Sequence, residues 1–201
     1  MSEAASAERT ATLVRKTKET DIHVELALDG TGQYEVSTGI PFFDHMLESF
    51  AKHALFDMRL RCEGDVHVDY HHTVEDCGIA IGQAIREALG EPLGIRRFGQ
   101  CSLPMAEALV DVAVDVSNRP YLVYRVDLVN DRIRDFDPSL SEDFLQALSQ
   151  NAGLDLHVDM RYGRSPHHVV EAVFKGTARA LRTAVEIDPR QTGLPSVKGA
   201  L

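Results

Sequence analysis

Two copies of one short motif constrain this chain more than any other feature. His71-His72-Thr73-Val74-Glu75 and His167-His168-Val169-Val170-Glu171 both read His-His-x-x-Glu, and the second copy lies 96 residues after the first (71 to 167, 75 to 171). If each motif opens a helix, the first His and the Glu stand at i and i+4, and the second His and the Glu at i and i+3. Those spacings put the side chains on one helix face. One His-His pair alone reads as a polar helix start; two copies at one spacing ask for a common explanation. Imidazole with carboxylate is a donor set for zinc, manganese or iron.

The flanking patterns repeat as well. Ile22, Val24, Leu26 and Leu28 alternate with polar residues, as in a strand buried on one face. Asp29-Gly30-Thr31-Gly32 is expected to turn this strand into a hairpin partner near Tyr34–Ser37. Pro41 opens a helix carrying Phe42, Phe43, Met46, Leu47 and Phe50, and Phe56–Cys62 alternates next. Val66, Val68 and Tyr70 then alternate back before the helix that starts at the first His-His. In the second half Val110–Val116 and Leu122–Leu128 read as strands, roughly Leu140–Asn151 as a helix, and Leu154–Met160 as a strand. Ser165-Pro166 begins the last helix, with Ser as N-cap and Pro in the first turn. Laying Asp44–Phe50 over Glu142–Leu148 sets His45 opposite Asp143. Loosely repeating apolar patterns occur in many α+β chains, but the paired motif makes an internal duplication the better reading. The expected fold class is α+β: two similar halves, each an antiparallel sheet with two helices packed on one face. Residues 1–9 are expected as a flexible tail, 10–95 as the first half and 96–201 as the second, together one compact unit.

Charge and composition narrow the function. A net charge of −10 argues against nonspecific nucleic-acid binding, which needs a basic face. Cys62, Cys77 and Cys101 show neither metal-like nor disulfide-like spacing and read as reduced thiols of a cytoplasmic protein. No apolar run approaches the ~20 residues of a membrane span, and no signal peptide is visible.

Each half offers one early-helix residue (His45 or Asp143) and one His-His-x-x-Glu, which makes His45, His71, His72, Glu75, Asp143, His167, His168 and Glu171 candidate ligands. Divided between two ions, they leave positions open for a substrate, which suits catalysis rather than a closed structural site. Adjacent histidines point in different directions, so each of a pair can serve a different ion. Arg96-Arg97 follows a glycine, Arg119 sits in the turn Ser117-Asn118-Arg119-Pro120, and Lys198 lies in Pro195-Ser196-Val197-Lys198-Gly199. Arginine in a turn suits phosphate through its planar fork, lysine as a point charge; each taken singly is equally a solvated surface charge. His23, His67 and His157 fall at strand positions and read as structural or surface residues, and His53 as a helix C-terminal histidine favoured by the dipole.

Several segments together resemble the imidazoleglycerol-phosphate dehydratases of histidine biosynthesis. They are Arg15-Lys16-Thr17-Lys18-Glu19-Thr20, Gly39-Ile40-Pro41-Phe42-Phe43-Asp44-His45-Met46-Leu47, Gly64 through Asp76, Gly94-Ile95-Arg96-Arg97-Phe98-Gly99, Ser117 through Tyr121, Ser165 through Ala172, and Pro195 through Gly199. The resemblance runs from about residue 10 to the C-terminus. It implies two fused α+β halves, a 24-subunit hollow assembly, and two manganese(II) ions per active site with ligands from more than one subunit. Carried over by position, it gives His45, His72, His167 and Glu171 to one ion, and His71, Glu75 and His168 to the other. It matches Glu19, His45, His53, Arg97, Arg119, Lys175, Ser196 and Lys198 to substrate-binding positions, and makes Glu19, Glu171 and His72 the candidate catalytic side chains. One departure stands out: the family usually has His where this chain has Asp143.

The implied reaction converts imidazole glycerol phosphate to imidazole acetol phosphate and water, through a metal-bound imidazolate and a diazafulvene. The same ligands would also suit a dinuclear metallohydrolase, or a metal-storage or sensing protein; the last has no need of the basic residues. The expected partners are a small phosphate substrate and other copies of the chain, with neither nucleic acid nor membrane.

Overall fold

The computed structural model describes residues 8–128 and 132–199. Its order is β1 (Thr10–Lys16), β2 (Thr20–Ala27), β3 (Tyr34–Ser37), α1 (Pro41–Ala54), β4 (Asp57–Gly64), α2 (His71–Leu89), and then the same again: β5 (Phe98–Met105), β6 (Ala108–Val116), β7 (Tyr121–Arg125), α3 (Leu140–Ala152), β8 (Leu154–Tyr162), α4 (Pro166–Val185). Each half is a four-stranded sheet, ordered β1-β2-β4-β3 and β5-β6-β8-β7.

The two-half α+β architecture is the expected one, but the sheets are mixed rather than antiparallel throughout. β3 pairs with β4, and β7 with β8, in parallel. Each of these pairs is joined by a helix, and a crossover helix brings the chain back in the same direction. The expected hairpin between β2 and Tyr34–Ser37 is therefore absent, because β4 lies between them. Asp57, at the start of β4, fixes this arrangement by accepting the backbone N–H groups of Thr31 and Gln33, both at 2.8 Å. Val66, Val68 and Tyr70 form no strand either. Asp65 donates its N–H to the Glu19 carbonyl and accepts that of Val68, so the segment turns towards α2, and His67 lies in that turn.

Of the tail expected over 1–9, residues 1–7 lie outside the described part; Arg9 bonds Asp29 and the carbonyl of Val185.

Ile22, Val24 and Leu26 of β2, and Val110, Val112 and Val114 of β6, point inward under the helices. α2 lies across β1 and β2, and α4 across β5 and β6. The helices of one half then pack on those of the other, α1 beside α4 and α2 beside α3, with the sheets outside. Phe43, Phe144 and Phe174 form the centre, with Phe144 stacked on Phe174 at 5.1 Å between ring centroids. Gly78 and Gly82, one turn apart on α2, rest against the backbone of α3 at Phe144 and Leu148. Because Gly82 meets residues later in α3 than Gly78 does, the two helices run in the same direction. α1 and α4 also run side by side in one direction: Phe42 touches His167, and further along His53 feels the charges of Lys175 and Arg179.

Candidate active site

Parallel packing puts the N-terminal ends of paired helices together, and the two His-His-x-x-Glu motifs sit at such ends. α4 begins as expected, with Ser165 as N-cap accepting the His168 N–H and Pro166 in the first turn. α1 is anchored by Asp44, which accepts the N–H and hydroxyl of Thr38 at 2.8 and 2.6 Å.

His45 of α1 meets His167 and Glu171 of α4. Glu171 Oε2 is 3.1 Å from His167 Nε2, and its Oε1 is 3.8 Å from His45 Nε2. One ligand atom from each of the three falls within 4.8 Å of the others, the only such trio among the described residues. Two imidazole nitrogens and a carboxylate at that spacing fit a divalent ion of the manganese, iron or zinc class. Glu171 is buried, with 7% of its side chain exposed, and Lys175 donates to its Oε1 at 2.6 Å. Burial opposes its ionisation, but the Lys175 hydrogen bond and the neighbouring charges prevail and hold its carboxyl below the usual range.

The equivalent place on α2 and α3 is built differently. His71 Nε2 lies 3.6 Å from Glu75 Oε2, echoing His167 and Glu171, but Asp143 Oδ2 lies 3.3 Å from the opposite nitrogen, Nδ1. Glu75, His71 and Asp143 thus flank one ring rather than enclosing one point.

His72 and His168 join neither group within the chain. His72 Nδ1 bonds Asp65 at 3.0 Å, and His168 Nδ1 bonds Glu107 at 2.7 Å. Carboxylates accept, so Nδ1 carries the hydrogen and Nε2 is left for another partner. The Asp65 bond raises the His72 pKa. The His168 bond, with backbone N–H groups of the Ser165 loop, lowers that of Glu107 to about 2. Glu19, in the β1–β2 turn, brings Oε1 to 3.9 Å from His72 Nε2. Its turn is held by Asp76, which accepts from Arg15 at 2.7 Å and from the Thr20 hydroxyl at 2.5 Å. Asp65 and Glu107 were not singled out from sequence. The available signal was positional: Glu107 occupies in the β5–β6 turn the place Glu19 occupies in the β1–β2 turn.

The basic candidates gather elsewhere. The Arg97 N–H donates to the carbonyl of Ala184 in the last turn of α4, and Asn118, beside Arg119, donates its N–H to Gly153 at the end of α3. Arg97 clasps Asp115 with two nitrogens (2.7 and 3.0 Å) and donates to the Pro195 carbonyl at 2.9 Å, which brings the Ser196–Lys198 segment to the same end. His167 and Ala184 are 17 residues apart, about 26 Å along a helix at ~1.5 Å per residue. Lys175 and His53 lie between, along α4 and α1; burial first, then Lys175 and Arg179, depress the His53 pKa.

Known proteins match this chain over nearly its whole length. A sequence model of imidazoleglycerol-phosphate dehydratases matches residues 38–181. The imidazoleglycerol-phosphate dehydratase of Dinoroseobacter shibae is 56% identical over 194 residues, covering 96% of this chain and all of the relative, and that of Paracoccus denitrificans is similar to the same degree. Among solved structures, the Pyrococcus furiosus enzyme in complex with (S)-C348 superposes with a TM-score of 0.82 at 39% identity, covering 94% of this chain and all of the other. The Staphylococcus aureus enzyme gives 0.81 at 33%, covering 89% and 99%. With its duplicated halves, its paired histidine motifs and these matches, the chain belongs to the imidazoleglycerol-phosphate dehydratase family.

Proposed function

We propose that this chain is a hydro-lyase of histidine biosynthesis that converts imidazole glycerol phosphate to imidazole acetol phosphate and water, using two manganese(II) ions per site. The observation that carries this reading is the His45–His167–Glu171 trio, a divalent-ion donor set formed by three of the residues that the resemblance assigns to one ion. His72 completes that group, and His71, Glu75 and His168 hold the second ion. When bound, the ions supply positive charge that acidifies the substrate's imidazole ring, as metal acidifies bound water.

The chain's own groups do the rest. The hydroxyl next to the ring leaves first, a diazafulvene lies between, and the proton on the neighbouring carbon follows. Glu171 is buried and already engaged by His167 and Lys175, so it serves as a ligand. Glu19 is half-exposed, held over His72 Nε2 by a braced turn, and is the group placed to move protons. Arg97, Arg119, Ser196 and Lys198 anchor the phosphate, with Lys175 and His53 nearer the metal end.

The ~26 Å between the ligand end and the basic end of α4 exceeds the reach of one small substrate. A working site therefore joins the His45–His167–Glu171 trio of one copy to phosphate anchors of another. Neither His72 nor His168 joins a ligand group of its own chain, which supports such sharing, and assembly to 24 subunits is what the resemblance to the family implies. Cys62, Cys77 and Cys101 are free thiols, which favours a reducing compartment such as the cytoplasm; among the described residues no helix is long and apolar enough to cross a membrane.

The test is turnover of imidazole glycerol phosphate by the purified, manganese-loaded protein, followed as appearance of the ketone product. Release of inorganic phosphate without dehydration would overturn the reading in favour of a metallohydrolase. Metal binding with no turnover would favour storage or sensing.

A further inference from the structure

We infer that Asp143 is not a metal ligand in this chain but a positioning residue, one of three carboxylates, with Asp65 and Glu107, that each hold a ligand histidine by Nδ1 and turn its Nε2 towards metal. The inference rests on the two-ion reading above and goes beyond it.

Two of the three places show a hydrogen bond to Nδ1, and the third an ion-pair contact on the same nitrogen. Asp65 accepts from His72 Nδ1 at 3.0 Å and Glu107 from His168 Nδ1 at 2.7 Å. Asp143 approaches His71 on the same nitrogen, at 3.3 Å. Both i,i+4 glutamates instead face Nε2: Glu75 that of His71 at 3.6 Å, Glu171 that of His167 at 3.1 Å. Nε2 is therefore the coordinating nitrogen in both halves. An atom beside Nδ1 lies across the imidazole from it and cannot share the same ion.

His45, the counterpart of Asp143 in the other half, shows what a ligand at this position does. Its long side chain carries Nε2 to within 3.8 Å of Glu171, on the metal side. The aspartate is shorter and stops at the near side of His71. It supplies what an outer carboxylate supplies: a fixed tautomer, a fixed ring plane and a more basic Nε2. The second ion then keeps three protein ligands, His71, Glu75 and His168, and one more open position than the first.

The test is titration of the metal-stripped, full-length protein with manganese(II), free ion being followed by electron paramagnetic resonance and folding by thermal melting. Asp143→Asn removes the charge but keeps an oxygen to accept the Nδ1 hydrogen; Asp143→Ala removes both. Wild type is expected to take up two ions per chain. Asp143→Ala should weaken one of them by about ten- to a hundredfold, and Asp143→Asn should restore binding close to wild type. The pair Glu107→Ala and Glu107→Gln should behave the same way through His168. A direct ligand would lose as much manganese affinity in Asp143→Asn as in Asp143→Ala, and that result overturns the inference. So does an Asp143→Ala protein that melts earlier yet binds both ions as wild type does. Wild-type protein that takes up no manganese would instead defeat the two-ion reading itself.

Discussion

Gly78 lies so close to the backbone of α3 that a methyl group added to it would stand 2.6 Å from the carbonyl oxygen of Phe144. That approach sets the spacing of α2 and α3, and with it the distance from His71 to Asp143. Gly78→Ala gains helix propensity but must push the helices apart. Overpacking of this kind costs about 1–3 kcal/mol, set against a propensity gain of roughly 1 kcal/mol. We expect a net loss of stability by chemical denaturation and weaker binding of the second manganese. A Gly78→Ala protein more stable than wild type would show that the helices have room to spare.

Removal of divalent metal should abolish turnover, and manganese should restore it. The trio of His45, His167 and Glu171 gathers two imidazoles around one buried carboxylate, which also accepts a hydrogen bond from Lys175. Exhaustive chelation followed by add-back of manganese, zinc and magnesium ranks the metals. Full activity in the chelated protein would refute the metal requirement.

His72→Ala and His168→Ala should each lose turnover while the subunit stays folded. Both rings are part-exposed and lie outside the hydrophobic core, so their removal leaves the core untouched. Since neither ring joins a ligand group of its own chain, native mass should be measured alongside activity. Loss of the assembly together with turnover is the signature of ligands that bridge subunits; wild-type rates in both variants would remove these histidines from the site.

Arg97→Ala and Lys198→Ala should both lower kcat/KM for the phosphate-bearing substrate, by about ten- to a hundredfold at ~1.5–3 kcal/mol per charge-assisted bond. They should differ in stability. Lys198 is exposed, whereas Arg97 ties Asp115 to the Pro195 carbonyl, so only its removal should also lower the melting temperature. Unchanged kcat/KM in either variant would make that residue an ordinary surface charge.

Much of the fold was legible because its elements bury one clear face. β2, β4, β6 and β8 show clean alternation, α1 to α4 carry apolar stripes, and Ser165-Pro166 marks a helix start. β1 and β5 were illegible for a physical reason. They are edge strands, and their inward positions include small or polar residues: Ala11 and Arg15 in β1, Gly99 in β5, where α4 crosses so closely that a side chain would strike Ala180. The parallel pairing of β3 with β4 was hidden because alternation tells which face is buried, not which strand lies alongside. Val66, Val68 and Tyr70 alternate inside a turn, where the pattern has no such meaning. At the candidate site, the ligand-type residues could be read from a repeated spacing on helices. Asp65 and Glu107 come from loops whose distance from His72 and His168 along the chain obeys no period, and only the turn position that Glu107 shares with Glu19 marks it.

Each cluster at the helix ends borrows from both halves: His45 from the first joins His167 and Glu171 from the second, and Asp143 from the second braces His71, beside Glu75, from the first. Neither half could assemble such a group alone, while two identical half-chains paired through their helices would make two identical ones. Covalent fusion holds the partners together at any dilution and removes the obligation to be alike. The contrast between His45 and Asp143 is that freedom in use: a symmetric pair would have to change both positions at once, whereas a fused chain can alter one.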